Sequence, residues 1–106
     1  DEDMLAMLLG EWLTEPKPDV WFEAAPDAGT DPARGLRLDR RTRMMYDGQH
    51  VFINGEGFRA SGRDAELMRR LADARVLPAA QRRRLSAPAR GLLAEWLQAG
   101  WLHEHD

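Results

Sequence analysis

An α+β domain is what this sequence predicts: three helices with a small antiparallel sheet, preceded by an apolar helix and a Pro/Gly-rich linker. Three observations carry that expectation. Two β-type runs, Arg43–Tyr46 and His50–Ile53, flank Asp47-Gly48. Asp-Gly in that position signals a hairpin, because glycine accepts the positive φ of a tight primed turn. Three helical patterns follow between residues 61 and 99, and a strand-like tail, Trp101 to His105, comes after them.

Taken in order, Met4, Leu5, Leu8, Leu9, Trp12 and Leu13 recur at helical spacing and make one broad apolar face. Ala6 and Met7 leave little polar surface in the first half, so this helix needs partners on several sides. Glu15-Pro16-Lys17-Pro18 stops it, since proline disfavours the helical region for its predecessor. Val20-Trp21-Phe22 reads as a short apolar anchor, and Ala25 to Gly35, rich in Pro, Gly and Asp, as the linker. Leu36-Arg37-Leu38 alternates like an edge strand, and Phe58-Arg59-Ala60 extends the sheet beyond the hairpin.

Ser61 with Asp64 three residues on resembles a capping box in a shortened form. The helix it opens runs to about Asp73, with Leu67, Met68, Leu71 and Ala72 inward and Glu66–Arg70 as an outer i,i+4 pair. Pro78 opens a short helix ending near Leu85. Ser86 caps the last helix, Ala87 to about Ala99, with Leu92, Leu93, Trp96 and Leu97 inward. Gly100 is a left-handed stop on which Trp101 folds back. Two helices joined by a tight turn, within a three-helix set followed by a strand, form a winged-helix pattern.

The 106 residues suffice for one modest domain. The chain opens at Asp1 inside an apolar run, which suggests a piece of a longer protein. With no cysteine, disulfides and thiolate chemistry are excluded. No apolar run approaches the roughly 20 residues that span a bilayer, and no signal-peptide pattern is present, so a cytoplasmic location is expected. Net charge is −3 but uneven: residues 1–33 hold nine acids and one base, and residues 34–90 hold fourteen Arg and six acids. Such asymmetry suits a nucleic-acid surface or a basic module lying against an acidic one. The excess of Arg over Lys is ascribed to base composition.

No catalytic, cofactor-binding or metal residue is assigned. His103 and His105 of the tail His103-Glu104-His105-Asp106 would share a strand face, but two ligands do not close a metal site. His50 reads as a satisfied strand residue. No His-x-Asp motif is present, so a 2-His-1-carboxylate iron site has no sequence form here. Gly55-Glu56-Gly57 is explained by turn geometry, and Ser61 and Ser86 by capping. Arg82-Arg83-Arg84 reads as a solvated helix C-terminus, where the helix dipole favours cations. The outward positions of the last helix are Arg90, Gly91, Ala94, Glu95 and Gln98. They offer one Arg where a base reader presents several donors, and no sequence-specific nucleic-acid binding is expected. Trp96 and Trp101 read as core.

Four segments taken together resemble the C-terminal part of bacterial ribosomal oxygenases: LGEWLTEPKPDVWF (Leu9–Phe22), RMMYDGQHVFINGEGF (Arg43–Phe58), LMRRLAD (Leu67–Asp73) and LLAEWLQAGWLH (Leu92–His103). These are Jumonji-type (JmjC), cupin-fold hydroxylases dependent on 2-oxoglutarate and Fe(II). The resemblance implies a parent with an N-terminal cupin barrel holding iron and cosubstrate, a helical dimerisation segment and a C-terminal winged helix. Residues 1–24 would then end the dimerisation segment, 25–35 would be linker, and 36–106 the winged helix. It implies a homodimer through the N-terminal helix, and an arginine hydroxylase acting on a ribosomal protein. This chain would be a non-catalytic support for the dimer and for binding of the substrate protein, with no cofactor of its own. Two alternatives stand beside that reading. One is a DNA-binding winged helix of a regulator, suggested by the Arg-rich middle, and the other a protein-interaction module, suggested by the apolar first helix.

Overall fold

The computed structural model describes residues 1–105. Its elements, in chain order, are helix α1 (Glu2–Thr14), strands β1 (Gly35–Leu38), β2 (Met44–Tyr46), β3 (His50–Ile53) and β4 (Glu56–Arg59), helix α2 (Gly62–Ala74), strand β5 (Val76–Leu77), helices α3 (Ala79–Arg82) and α4 (Ala87–Gln98), and strand β6 (Leu102–His105). The predicted α+β winged-helix class is what forms, with α2, α3 and α4 and small antiparallel sheets.

The strands make two three-stranded sheets, β5-β1-β6 and β2-β3-β4. β1 is central rather than an edge: Leu36 pairs with Leu77 on one side and Glu104 on the other. The missed partner is β5, only two residues long and so too short to show a period. Val76-Leu77 follows Arg75, which ends α2 in the left-handed region at φ 64.

The hairpin forms, but the primed turn is not at Asp47-Gly48. Asn54 and Gly55, between β3 and β4, take φ 47 and 91, the paired positive values of a type I′ turn. Ile53 pairs with Glu56 across it, and the Asn54 carboxamide oxygen accepts the Arg43 N–H at 2.9 Å. Between β2 and β3 the Asp47 carboxylate organises the loop instead, accepting the N–H groups of Gln49 (2.9 Å) and His50 (2.8 Å).

Ser86 caps α4 through the Ala89 N–H as expected. Gly100, at φ 81, ends it, with Gly100 N–H donating to Leu97 and Trp101 N–H to Trp96. The capping box at Ser61 does not form. Ser61 makes no side-chain cap bond, and Asp64 reaches across to α4, accepting the Ser86 N–H (2.9 Å) and its hydroxyl. The Glu66–Arg70 pair closes at 2.8 Å.

The core gathers Leu36 and Leu38, Val51 and Ile53, Leu67 and Leu71, Leu77 and Leu85, and Leu93, Trp96 and Leu97. Residues 25–35 run along its outside: the Ala25 N–H donates to Gln98, and Arg82 donates to the carbonyls of Asp31 (2.8 Å) and Arg34 (3.0 Å). The guanidinium of Arg82 also pairs with Glu104 at 2.7 Å, both side chains nearly inaccessible. The solvated reading of Arg82-Arg83-Arg84 therefore fails for Arg82, which fastens the segment before β1 to β6. In Val20-Trp21-Phe22 the anchor is Phe22, its ring 6.2 Å from that of Trp101, while Trp21 is exposed.

Candidate interaction surface

Helix α1 is docked by its less apolar side. The residues turned to the β2-β3-β4 sheet are Asp3, Met7, Gly10 and Thr14, spaced to lie on one face of a 3.6-residue helix. Gly10 rests against the ring of Phe52, so close that a Cβ there would overlap three ring carbons. Thr14 is buried. Its hydroxyl donates to the Gly10 carbonyl (2.8 Å) and accepts the Gly55 N–H (3.0 Å), joining the end of α1 to the type I′ turn. Asp3 joins the other end, accepting from His50 and Arg59.

The expected apolar face therefore points away from the domain. Met4, Leu5, Leu8, Leu9, Trp12 and Leu13 lie opposite the docked residues and are between 42% and 69% exposed. Met7 and the small residues Ala6 and Gly10 lie outside the expected apolar face, and the pattern gives them no docking role. Their signal was a glycine in mid-helix, which marks close approach of another element. A shallow cleft of about 420 Å³ continues the face past the helix end, bounded by Trp12, Pro16, Pro18 and Arg43.

His50 is buried and bonded on both ring nitrogens, Nδ1 to Asp47 (2.9 Å) and Nε2 to Asp3 (2.7 Å). The carboxylates flank opposite edges of the ring, so the three groups do not converge on a point. Burial opposes the charged ring, but the bonds to Asp47 and Asp3 outweigh it and hold its pKa above the ordinary value. His103 and His105 share a strand face as predicted but have different neighbours. His103 pairs with Asp39 at 2.8 Å, and His105 lies against Gly35. Asp106, the last residue of that tail, lies outside the described residues. Asp39 is buried and held far below the usual carboxylate range, first by Arg41, against the opposing effect of burial, and then by His103. Among the described residues no group of three or more His, Cys, Asp or Glu is placed to hold a metal ion.

A second cavity, of about 190 Å³, lies between β4 and the starts of α2 and α4, walled by Phe58, Met68, Leu92 and Trp96. Its Ser61 and Asp64 supply no nucleophile and base, because Asp64 is engaged by Ser86. Part of the Arg-rich middle is internal wiring: Arg41, Arg75, Arg82 and Arg83 donate to backbone carbonyls, and Arg59 and Arg70 to carboxylates, while Arg37, Arg40, Arg43, Arg63, Arg84 and Arg90 are exposed. On α4, Arg90 and Gln98 are exposed, with Glu95 on the same outward side.

A family model described as ROXA-like winged helix matches residues 1–103. A solved structure of YcfD, a ribosomal oxygenase from Escherichia coli, in complex with cobalt and succinic acid superposes with TM-score 0.72 at 20% identity, over 99% of this chain and 34% of that one. Another of YcfD, with cobalt and 2-oxoglutarate, gives 0.68 at 18%, over 99% and 34%. An X-ray structure of E. coli ycfD gives 0.71 at 18%, over 98% and 32%. At these identities the likeness is one of fold, and the chain spans about a third of the length of those structures. No curated protein matches it.

Proposed function

The chain belongs to the ROXA-like winged-helix family, and from that membership we propose that it is the non-catalytic C-terminal part of a ribosomal oxygenase. The parent would be a cytoplasmic 2-oxoglutarate- and Fe(II)-dependent hydroxylase with a JmjC-type cupin domain, acting on arginine of a ribosomal protein. Support comes from the fold shared with a ribosomal oxygenase and from the third of its length that the chain spans. No helix among the described residues is long and apolar enough to cross a membrane. Among the described residues no group of three or more His, Cys, Asp or Glu is placed to hold a metal ion, and on this reading iron and 2-oxoglutarate belong to the cupin domain. On this reading residues 1–24 end a dimerisation segment, 25–35 connect, and 36–106 form the winged helix.

The observation that carries the role of this chain is the outward-facing apolar row of α1. Burying a Leu side chain is worth roughly 1.5–3 kcal/mol, and α1 leaves four of them facing outward. The proposal is that a second copy covers this face in a homodimer. Sedimentation tests it: the wild-type chain should self-associate, and the double variant Leu5→Lys, Leu9→Lys should be monomeric with α2 and α4 still folded. A wild-type monomer at high concentration overturns the dimer. The oxygenase reading is tested separately on the upstream coding sequence, which should hold His-x-Asp followed by a distant His. A reading frame without them overturns it.

A further inference from the structure

We propose that Asp3, His50 and Asp47 form a proton-dependent latch that fastens the first turn of α1 to the β2–β3 hairpin. The three residues come from three elements: the start of α1, the first residue of β3 and the loop before it. A carboxylate only accepts hydrogen bonds, so a ring that meets one at each nitrogen must carry a proton on both. That state is the imidazolium. It has little access to solvent, and the two acids are its counter-charges.

The surrounding groups agree with a charged ring held shut. Arg59 on β4, paired across from His50, donates to Asp3, and Glu2 lines the same shallow cleft. Two cations and three acids thus meet at the junction of helix and hairpin. Asp3 is held below its ordinary pKa, first by its bond to His50, and so stays an acceptor at neutral pH. Among the described residues, the side-chain hydrogen bonds between the first turn of α1 and the sheet run through Asp3. Loss of the second ring proton removes the donor at one edge and leaves a carboxylate facing a lone pair. The other fastenings of α1, at Gly10 and Thr14, lie about two and three turns further on and do not titrate. Opening is therefore local to the helix start. This goes beyond the oxygenase reading and holds whatever covers the apolar face.

The sign follows from the raised ring pKa. The stabilisation is fully present below the ordinary histidine value and is lost as pH rises through the folded-state midpoint. The test is nitrogen-detected titration of the His50 ring in the whole chain, with amide exchange of residues 4–9 measured alongside. Two results are expected together. The ring should carry both protons at pH values where a free histidine has begun to lose one, and Asp3→Asn should lower its midpoint. In Asp3→Asn, exchange in the first turns of α1 should quicken about tenfold for each unit by which the midpoint falls, with α4 unchanged. A neutral ring at pH 6.5, an Asp3→Asn midpoint equal to wild type, or unaltered exchange in α1 each overturns the latch. Asp3 is on the surface side of the cluster, so the variant keeps the core; His50→Gln, which cannot charge, should show the quickened exchange at every pH.

Discussion

Gly10 of α1 lies on the face of the Phe52 ring, and the approach leaves no room for a side chain at position 10. Gly57 on β4, paired with Phe52, meets the same ring and the Met7 side chain of α1. The ring is therefore clasped between a helix backbone and a neighbouring strand backbone, both made thin by glycine.

Replacing Gly10 by Ala sets two effects against each other. Alanine favours the helix by about 0.8–1 kcal/mol, whereas forcing a methyl into a filled contact costs about 1–3 kcal/mol. Phe52 is buried and cannot swing out cheaply. The expected outcome is a net loss, seen in urea unfolding and as loss of amide protection confined to α1. Phe52→Leu in the same chain should recover part of it, giving a positive coupling in a double-mutant cycle.

Arg82→Met should be among the most damaging single changes. It leaves Glu104 with a buried charge and the carbonyls of Asp31 and Arg34 without their donor. Breaking one side of a buried pair costs about 3–5 kcal/mol. Arg84→Ala, two residues on and exposed, should fall within about 0.5 kcal/mol of wild type. Denaturant midpoints of the two variants provide the comparison.

The acid limb of stability should run through Asp39. Its folded-state pKa is depressed by Arg41 and His103, so its contribution is present above the unfolded carboxyl range and is lost as pH falls. Stability should decline from about pH 5 downward, and Asp39→Asn should be less stable at neutral pH but flatter across that acid range. Unfolding free energies between pH 3 and 7 check both parts.

Much of this architecture could be read from residues whose chemistry is local. Ser86 before α4, Gly100 after it and Pro78 ahead of α3 act within one turn of their own backbone, and each does what its type predicts. The failures share the opposite character. Asp64 serves a serine on another helix, and Arg82 serves a strand and a loop that the sequence places far away. Gly48 and Gly55 both follow turn-forming residues, yet only the second takes a positive φ, because Asp47 closes the first loop with its own carboxylate. The apolar row of α1 was visible as a stripe with more surface than one domain covers, but the face that docks was not visible. Which side docks was decided by Gly10 and Thr14, residues that carry no weight in a hydrophobic pattern.

The central position of β1 has a consequence for how the chain is made. β1 pairs along its whole length with β6, Gly35 to His105 and Leu38 to Leu102, across the intervening hairpin and three helices. Contacts so distant in sequence close late, because the loop between them must be ordered first. The β2-β3-β4 sheet joins strands adjacent in sequence, so its pairings close earlier. β1, already synthesised, waits with both flanks bare until β5 emerges and with one bare until β6 does. During that interval the nascent chain presents an unpaired strand of Gly35-Leu36-Arg37-Leu38, and the one charged side chain in it, Arg37, is what stands between that strand and premature pairing with another copy.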